Sequence, residues 1–298
     1  MSRMNLFGVL AVVVIAAGGI AVIPRSQGKN TETSKSKIEG VGLAKYGLEI
    51  IDPEHPAFSK LMAEKNPGPE LPFSVFVVNN SGQAISSCTL KCEIVLRAGQ
   101  TVTHFKTKTS TLETVSDGSS ARLTEGIAAK GNLLFSLTDS ASPDNQARTG
   151  IAFRSGGGDS NITNQLSNSV KVTVSIDGAL FVDGTYVGPD TNNYFELFRG
   201  QIEANRDLDG EIDRLVNDGA KPEAILNHLE RVSHTQSNEV QIPSGEDPQY
   251  SFGKWMQKSS YARLLLVIRK KKGDQAVIDH VRTDLSKPQI KLRKLKES

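Results

Sequence analysis

The chain has 298 residues, enough for one large or two modest domains. Its apolar residues amount to 38% and its charged residues to 23%, which excludes wholesale disorder. A net charge of +2 excludes a nucleic-acid-binding polycation, so no nucleic-acid partner is expected. Two cysteines exclude a disulfide scaffold and a four-cysteine zinc site.

Residues 6–23 (LFGVLAVVVIAAGGIAVI) carry no charge. At a rise of about 1.5 Å per residue, a helix of this length spans roughly 27 Å, close to the hydrocarbon thickness of a bilayer. The run is apolar on every face, which separates it from an amphipathic core helix. Residues 1–25 therefore read as a signal peptide or a membrane anchor. Ala17/Gly19 and Gly19/Ala21 fit a small-x-small cleavage pattern, but no polar region precedes them, and the anchor is the preferred reading. The membrane partner is then residues 6–23. Arg25, Lys29, Lys35 and Lys37 outnumber Arg3, and a strict positive-inside count would place the body in the cytoplasm. Terminal signal-like segments usually carry the chain behind them across the membrane. The body is therefore expected on the extracytoplasmic face, in the periplasm or at the cell surface, or secreted if the helix is cleaved. Residues 26–37 form a polar tether without a large apolar side chain to order it.

From residue 38 to 190 the period is that of strands. Tyr46, Leu48 and Ile50 alternate, Ala57 to Lys65 suits a short helix, and Asn66-Pro67-Gly68-Pro69 punctuates. Pro72 to Val78 is a Phe/Val-rich strand, and Asn79-Asn80-Ser81-Gly82 a turn. Ile85 to Leu96 places Cys88, Leu90, Cys92, Ile94 and Leu96 on one face and Ser87, Thr89, Lys91 and Glu93 on a face toward water. Cys88 and Cys92, about 13 Å apart along a strand, cannot pair and read as buried free thiols. Thr101 to Lys108, the stretch from Ile127 to Leu137, and Val170 to Ile176 add strands. Asp177-Gly178 and Asp183-Gly184 read as hairpin turns. Residues 139–169, rich in Ser, Asn, Asp and Gly, read as a long flexible loop, a disordered insertion in the pattern, with a binding loop presented by the sandwich as the functional alternative. Seven or eight short strands predict an immunoglobulin-like antiparallel β-sandwich. The fold class is α+β: an N-terminal membrane-spanning or signal helix, the sandwich, then a C-terminal helical module.

That module, residues 191–286, comes after Gly188-Pro189-Asp190. Phe195, Phe198 and Ile202 lead into Leu208, Ile212, Leu215 and Val216. Asp190 or Asn192 suits the cap, Gly210 invites a kink or a split, and Gly219 suits the stop. Pro222 opens a second helix carrying Ile225, Leu226, Leu229 and Val232. Phe252 to Lys272 makes a third, and Val277, Val281 and Leu285 mark a fourth. Residues 269–298 hold ten Lys and Arg against four acids, so a mildly acidic body ends in a basic tail at 287–298. The Arg269–Lys272 cluster sits where cations oppose the helix dipole; contact with anionic lipid or an acidic partner is the sharper reading.

Motifs for chemistry fail one by one. The five histidines (His55, His104, His228, His234, His280) form no H-E-x-x-H. Asp207 to Asp213 has half the look of a calcium loop, but its glycine comes fourth instead of sixth, and an exposed acidic helix face fits better. Ser251-Phe252-Gly253-Lys254 matches S-x-x-K without its companion motifs. Gly126 to Gly131 frames a phosphate loop, but Asn132 stands where the lysine must be. No cofactor, metal or catalytic residue is assigned.

Residues 176–198, IDGALFVDGTYVGPDTNNYFELF, run a double Asp-Gly pattern into Val-Gly-Pro-Asp and an amphipathic helix. With the preceding VVNNSGQAI, this segment resembles bacterial extracytoplasmic proteins with an Ig-like region, a resemblance that implies no activity. The reading is a membrane-anchored or exported, non-catalytic binding or structural module with a protein partner at the cell surface. Two others stand beside it: an extracytoplasmic hydrolase-like enzyme with its site at the sandwich–helix junction, and an inward-facing membrane protein whose basic tail binds an anionic partner. Candidate partner contacts are Trp255, Tyr261, Arg269, Lys270, Lys271 and Lys272.

Overall fold

A computed structural model describes residues 37–65, 73–109, 112–113, 122–123, 126–138, 160–236, 239 and 242–295. The apolar run 6–23 and most of the 139–169 loop lie outside these residues. Among the described residues, no helix is long and apolar enough to cross a membrane. The fold is mixed α+β, with two principal sheets and six α-helices described.

The first sheet is antiparallel and three-stranded: β2 (Leu48–Ile51), β3 (Ser74–Asn79) and β8 (Asn132–Ser136), with β3 central. The second is six-stranded. It runs from β5 (Thr101–Thr109) through β4 (Ile85–Leu96) to the 13-residue β9 (Ser169–Phe181). The far edge of β9 is shared end to end by β1 (Lys37–Val41) and β10 (Thr185–Val187). This sheet departs from the expected all-antiparallel pattern: β1 pairs with β9 in parallel, and β10 pairs in parallel with β11 (Arg293–Lys294), a strand made by the basic tail. A two-residue pair, β6 (Leu112–Glu113) and β7 (Arg122–Leu123), stands apart.

The two sheets share one core. Cys88, Leu90, Cys92 and Ile94 of β4 alternate inward to meet Val172, Val174 and Ile176 of β9 and Leu48, Ile50, Val75, Val77 and Phe135 of the smaller sheet. The period-2 reading of β4 holds on that face. Its other face differs from expectation along half its length. Lys91 and Glu93 face solvent and pair at 3.0 Å, whereas Ser87 and Thr89 are buried. Their ladder partners are Leu180 and Gly178, at the end of the sheet where helices dock. The open edge of β8 is covered by the Lys106 and Lys108 ammonium groups, which donate to the Ser136 and Leu134 carbonyls. Charged cover of this kind blocks edge-to-edge pairing with another chain.

The helices are α1 (Phe58–Lys65), α2 (Ser160–Ser167), α3 (Tyr194–Asn217), α4 (Pro222–His234), α5 (Pro248–Lys272) and α6 (Asp274–Leu285). Helix α2 falls within the stretch read as a flexible loop. Its Leu166 enters the sheet core, and Gln165 contacts His104 at 2.6 Å. Helix α3 is the joint of the molecule. Its first turns (Tyr194, Leu197, Phe198) cover Leu180 and Tyr186 on the outer face of the larger sheet. Its later turns (Leu208, Ile212) enter a second core with Ile225, Leu229, Tyr261, Leu265, Val277 and Val281. Gly210 neither kinks nor splits it: the 24 residues run unbroken. The end obeys the αL rule. Gly219 (φ +76°) donates to Val216, and Ala220 to Leu215, satisfying carbonyls the helix leaves open. Asp247 caps α5 by accepting from the Gln249 and Tyr250 amides. Helices α3 and α5 cross at Gly200 and Gly253; a side chain at either would collide with the backbone of the other helix.

Candidate functional site

The Asp-Gly motif builds the strand–helix junction. Asp177-Gly178 does not turn the chain; it lies inside β9, where the ladder slips by one residue against Thr89 and Leu90. Asp177 is the extra residue of this bulge. Its carbonyl accepts the Asp190 amide at 2.8 Å, and its Oδ1 accepts the Thr191 amide (3.0 Å) and hydroxyl (2.7 Å). Gly178 leaves the space the Tyr186 ring occupies, and Gly188 (φ +117°) the space beside the Asp177 carbonyl. Asp183-Gly184 is a true turn. Its carboxylate accepts from the Thr185 amide (2.8 Å) and hydroxyl (2.9 Å) and pairs with Arg293 at 3.2 Å. Burial opposes ionisation of Asp183, but the Thr185 hydrogen bonds and the Arg293 charge prevail and hold its pKa below the ordinary value.

Asp190 is the hub. Its side chain is fully buried and accepts from the Tyr186 hydroxyl (3.0 Å) and the Phe195 amide (3.2 Å); Lys294 lies 2.7 Å from Oδ2. One carboxylate thus caps α3, fixes Tyr186 and holds the tail strand. Asn193, the residue before the helix, makes no side-chain cap. Burial, then the neighbouring Asp190 charge, pushes the Tyr186 phenol far above its ordinary pKa, so it acts as a neutral donor. The tail cations Arg293 and Lys294 are therefore engaged within the chain.

A second polar assembly runs along the seam between α3 and α5. Gln201, Asn205 and Asp209 recur every four residues on one face of α3, all buried. Gln257 donates to Asn205 at 3.1 Å. The Tyr261 hydroxyl faces Asp209 at 2.8 Å and Asp284 at 3.3 Å, while Lys287 pairs with Asp284 at 2.8 Å. His280 Nε2 lies 3.5 Å from Asp284 without an aligned hydrogen bond. Burial, reinforced by the Asp284 charge and opposed by the Tyr261 hydrogen bond, raises Asp209 to about 7. A carboxyl titrating near neutrality beside a phenol and a second carboxylate has the makings of general acid–base chemistry. Asp209, however, is 2% exposed and enclosed by the second core. The acidic run read as a solvated face is instead interhelical: Asp207 pairs with Lys254 (2.6 Å), Glu211 with Lys258 (2.6 Å) and His228 (3.0 Å), and Asp213 with Arg282 (3.1 Å). Burial works against the Glu211 charge, but the Lys258 and His228 contacts lower its pKa.

The residues singled out in the sequence separate into four groups. Tyr261 is 2% exposed and belongs to the seam, out of reach of a partner. Trp255 is half-buried. Its indole N–H donates to the Thr235 carbonyl at 3.0 Å, its ring packs 5.4 Å from Phe252, and it lines an open recess with Ser233, His234, Gln236, Arg263 and Leu266. Arg269 pairs with Asp274 across the α5–α6 break. Lys270, Lys271 and Lys272 stand exposed in the last turn of α5. Cys88 and Cys92 are free and buried, and burial pushes both thiols up to about 12. Among the described residues, no group of three or more His, Cys, Asp or Glu side chains is arranged to hold a metal ion. The seam was hidden in the sequence because its members are spaced like core positions but are polar; the four-residue recurrence of Gln201, Asn205 and Asp209 was the available signal. No family model, no curated protein and no solved structure matches the chain.

Proposed function

We propose that this protein is a membrane-tethered, non-catalytic binding or structural module, with an immunoglobulin-like body that carries a helical bundle on the extracytoplasmic side. The observation that carries the reading is the uncharged run of residues 6–23 with a polar segment after it. The Ig-like description draws support from the chain path: β3 to β4, β5 to β8 and β8 to β9 each pass between the two sheets that share the core. The non-catalytic reading draws support from where the ionisable groups lie. Asp177, Asp190, Asp209 and Tyr261 are buried, and each joins one element to another. Alkaline carbonate washing of membranes from cells making the full chain tests the tether. Retention in the pellet is expected; release into the supernatant contradicts it.

A further inference from the structure

Helix α5 contains seven cations and no acid in its 25 residues. Three of the cations are matched by acids on other helices: Lys254 by Asp207, Lys258 by Glu211 and Arg269 by Asp274. Arg263 bonds the Ser233 carbonyl at 3.2 Å and is exposed. Lys270, Lys271 and Lys272 make no ion pair among the described residues. At 100° per residue, Phe252, Met256, Arg263, Val267 and Lys270 fall within about 60° of one another, along roughly 27 Å of helix. This face is turned away from Tyr261, Leu265 and the second core, and at its middle Ser259 is buried and donates to the Ser233 carbonyl at 3.0 Å, which leaves the open parts at the Phe252 and Val267 ends. Apolar side chains remain open on it: Phe252 is 36% exposed and Val267 46%. Trp255 and Leu266 flank it.

We propose that this face of α5 lies against an anionic phospholipid surface, with Phe252 and Val267 at headgroup depth and Lys270, Lys271 and Arg263 toward the lipid phosphates. Two features choose this occupant over an acidic protein or a nucleic acid. Aromatic and aliphatic side chains interleaved with cations match the headgroup boundary, where apolar and charged contacts are needed together. The 13 residues between Ile23 and Lys37, fully extended, span at most about 45 Å, so the proposed tether would hold the start of the body at Lys37 within that distance of a bilayer. The choice of a lipid surface thus rests on the tether proposed above; the composition of the face does not.

Trp255 is the chain's one tryptophan and flanks the face, so it serves as the probe. The full chain is mixed with phosphatidylcholine vesicles, then with vesicles that also contain phosphatidylglycerol. Flotation and Trp255 emission are recorded, and brominated acyl chains serve as quencher. Flotation is expected with both, and a blue shift with bromine quenching only where phosphatidylglycerol is present, reversed by salt. Each lysine near such a surface is worth about a fivefold gain in binding, so Lys270→Gln and Lys271→Gln together weaken the docking about 25-fold while flotation persists, and Lys272→Gln, on the opposite side of the helix, leaves it unchanged. Flotation with both vesicles and no change at Trp255 overturns this proposal and leaves the tether standing. Flotation only with anionic vesicles, with the shift, upholds the face and overturns the tether. Flotation with neither overturns both. A shift produced by soluble polyglutamate and by no vesicle assigns the face to an acidic protein and overturns the lipid reading.

Discussion

Asp209 places a carboxyl in a core of leucine, isoleucine and valine, where ionisation is costly. The charged and titratable groups around it come from four segments: Arg206 on its own helix, Tyr261 on α5, His280 and Asp284 on α6, and Lys287 just beyond α6. Its pKa in the fold, about 7, exceeds the ordinary 3.8, so the folded state holds a proton that the unfolded chain has lost. Stability from this group is therefore complete below about pH 4, falls as pH rises toward 7, and stays reduced above it, by at most about 4 kcal/mol. Asp209→Asn keeps an acceptor for Tyr261 and removes the charge. Thermal unfolding should show the variant matching the wild type at pH 4 and exceeding it at pH 8; equal behaviour at both values would contradict this role. The cysteines give a second residue-scale test. With both thiols buried and raised to about 12, neither should react with a thiol reagent at pH 8 in the folded protein, and both should react after denaturation.

At the scale of elements, two glycines that look alike in the sequence have opposite roles. A methyl group at Gly178 would collide with the Tyr186 hydroxyl and ring, so Gly178→Ala should cost about 3 kcal/mol or more in denaturant unfolding. Gly210 sits in mid-helix with open space around its Cα, and Gly210→Ala should stabilise by about 1 kcal/mol. The strands and helices with strong periodicity were legible: β4 from its alternating Cys-Leu-Cys-Ile, and α4 to α6 from their stripes and their Pro and Gly boundaries. Others were not. Asp177-Gly178 has turn chemistry, but the long pairing of β9 with β4 absorbs it as a bulge. Strand β1 exists because β9 offers a parallel edge, which no local pattern in Lys37–Val41 announces. The seam was missed because a buried polar ladder and a solvated helix face share one composition and differ only in what packs against them.

At the scale of the molecule, sheet and bundle are joined twice, by the first turns of α3 and by the returning tail. Lys294 neutralises Asp190, and β11 extends the larger sheet beside β10. Lys294→Met removes the cation and leaves a buried carboxylate with two hydrogen-bond donors, Tyr186 and Phe195. A loss of about 2–3 kcal/mol in denaturant unfolding is expected, against less than about 0.5 kcal/mol for Lys272→Met on the open surface. With Arg293 and Lys294 engaged in this way, the last turn of α5 presents, among the described residues, three consecutive exposed cations, Lys270, Lys271 and Lys272. On the tether proposed above, the side of the membrane that the body occupies decides which leaflet that helix can reach. A reporter active only outside the cytoplasm, fused after Ser298, together with the intact mass of the chain, tests this most directly. An outward-facing tethered body predicts an active reporter on a chain that keeps residues 1–25; an inactive reporter, or a mass lacking those residues, would contradict it.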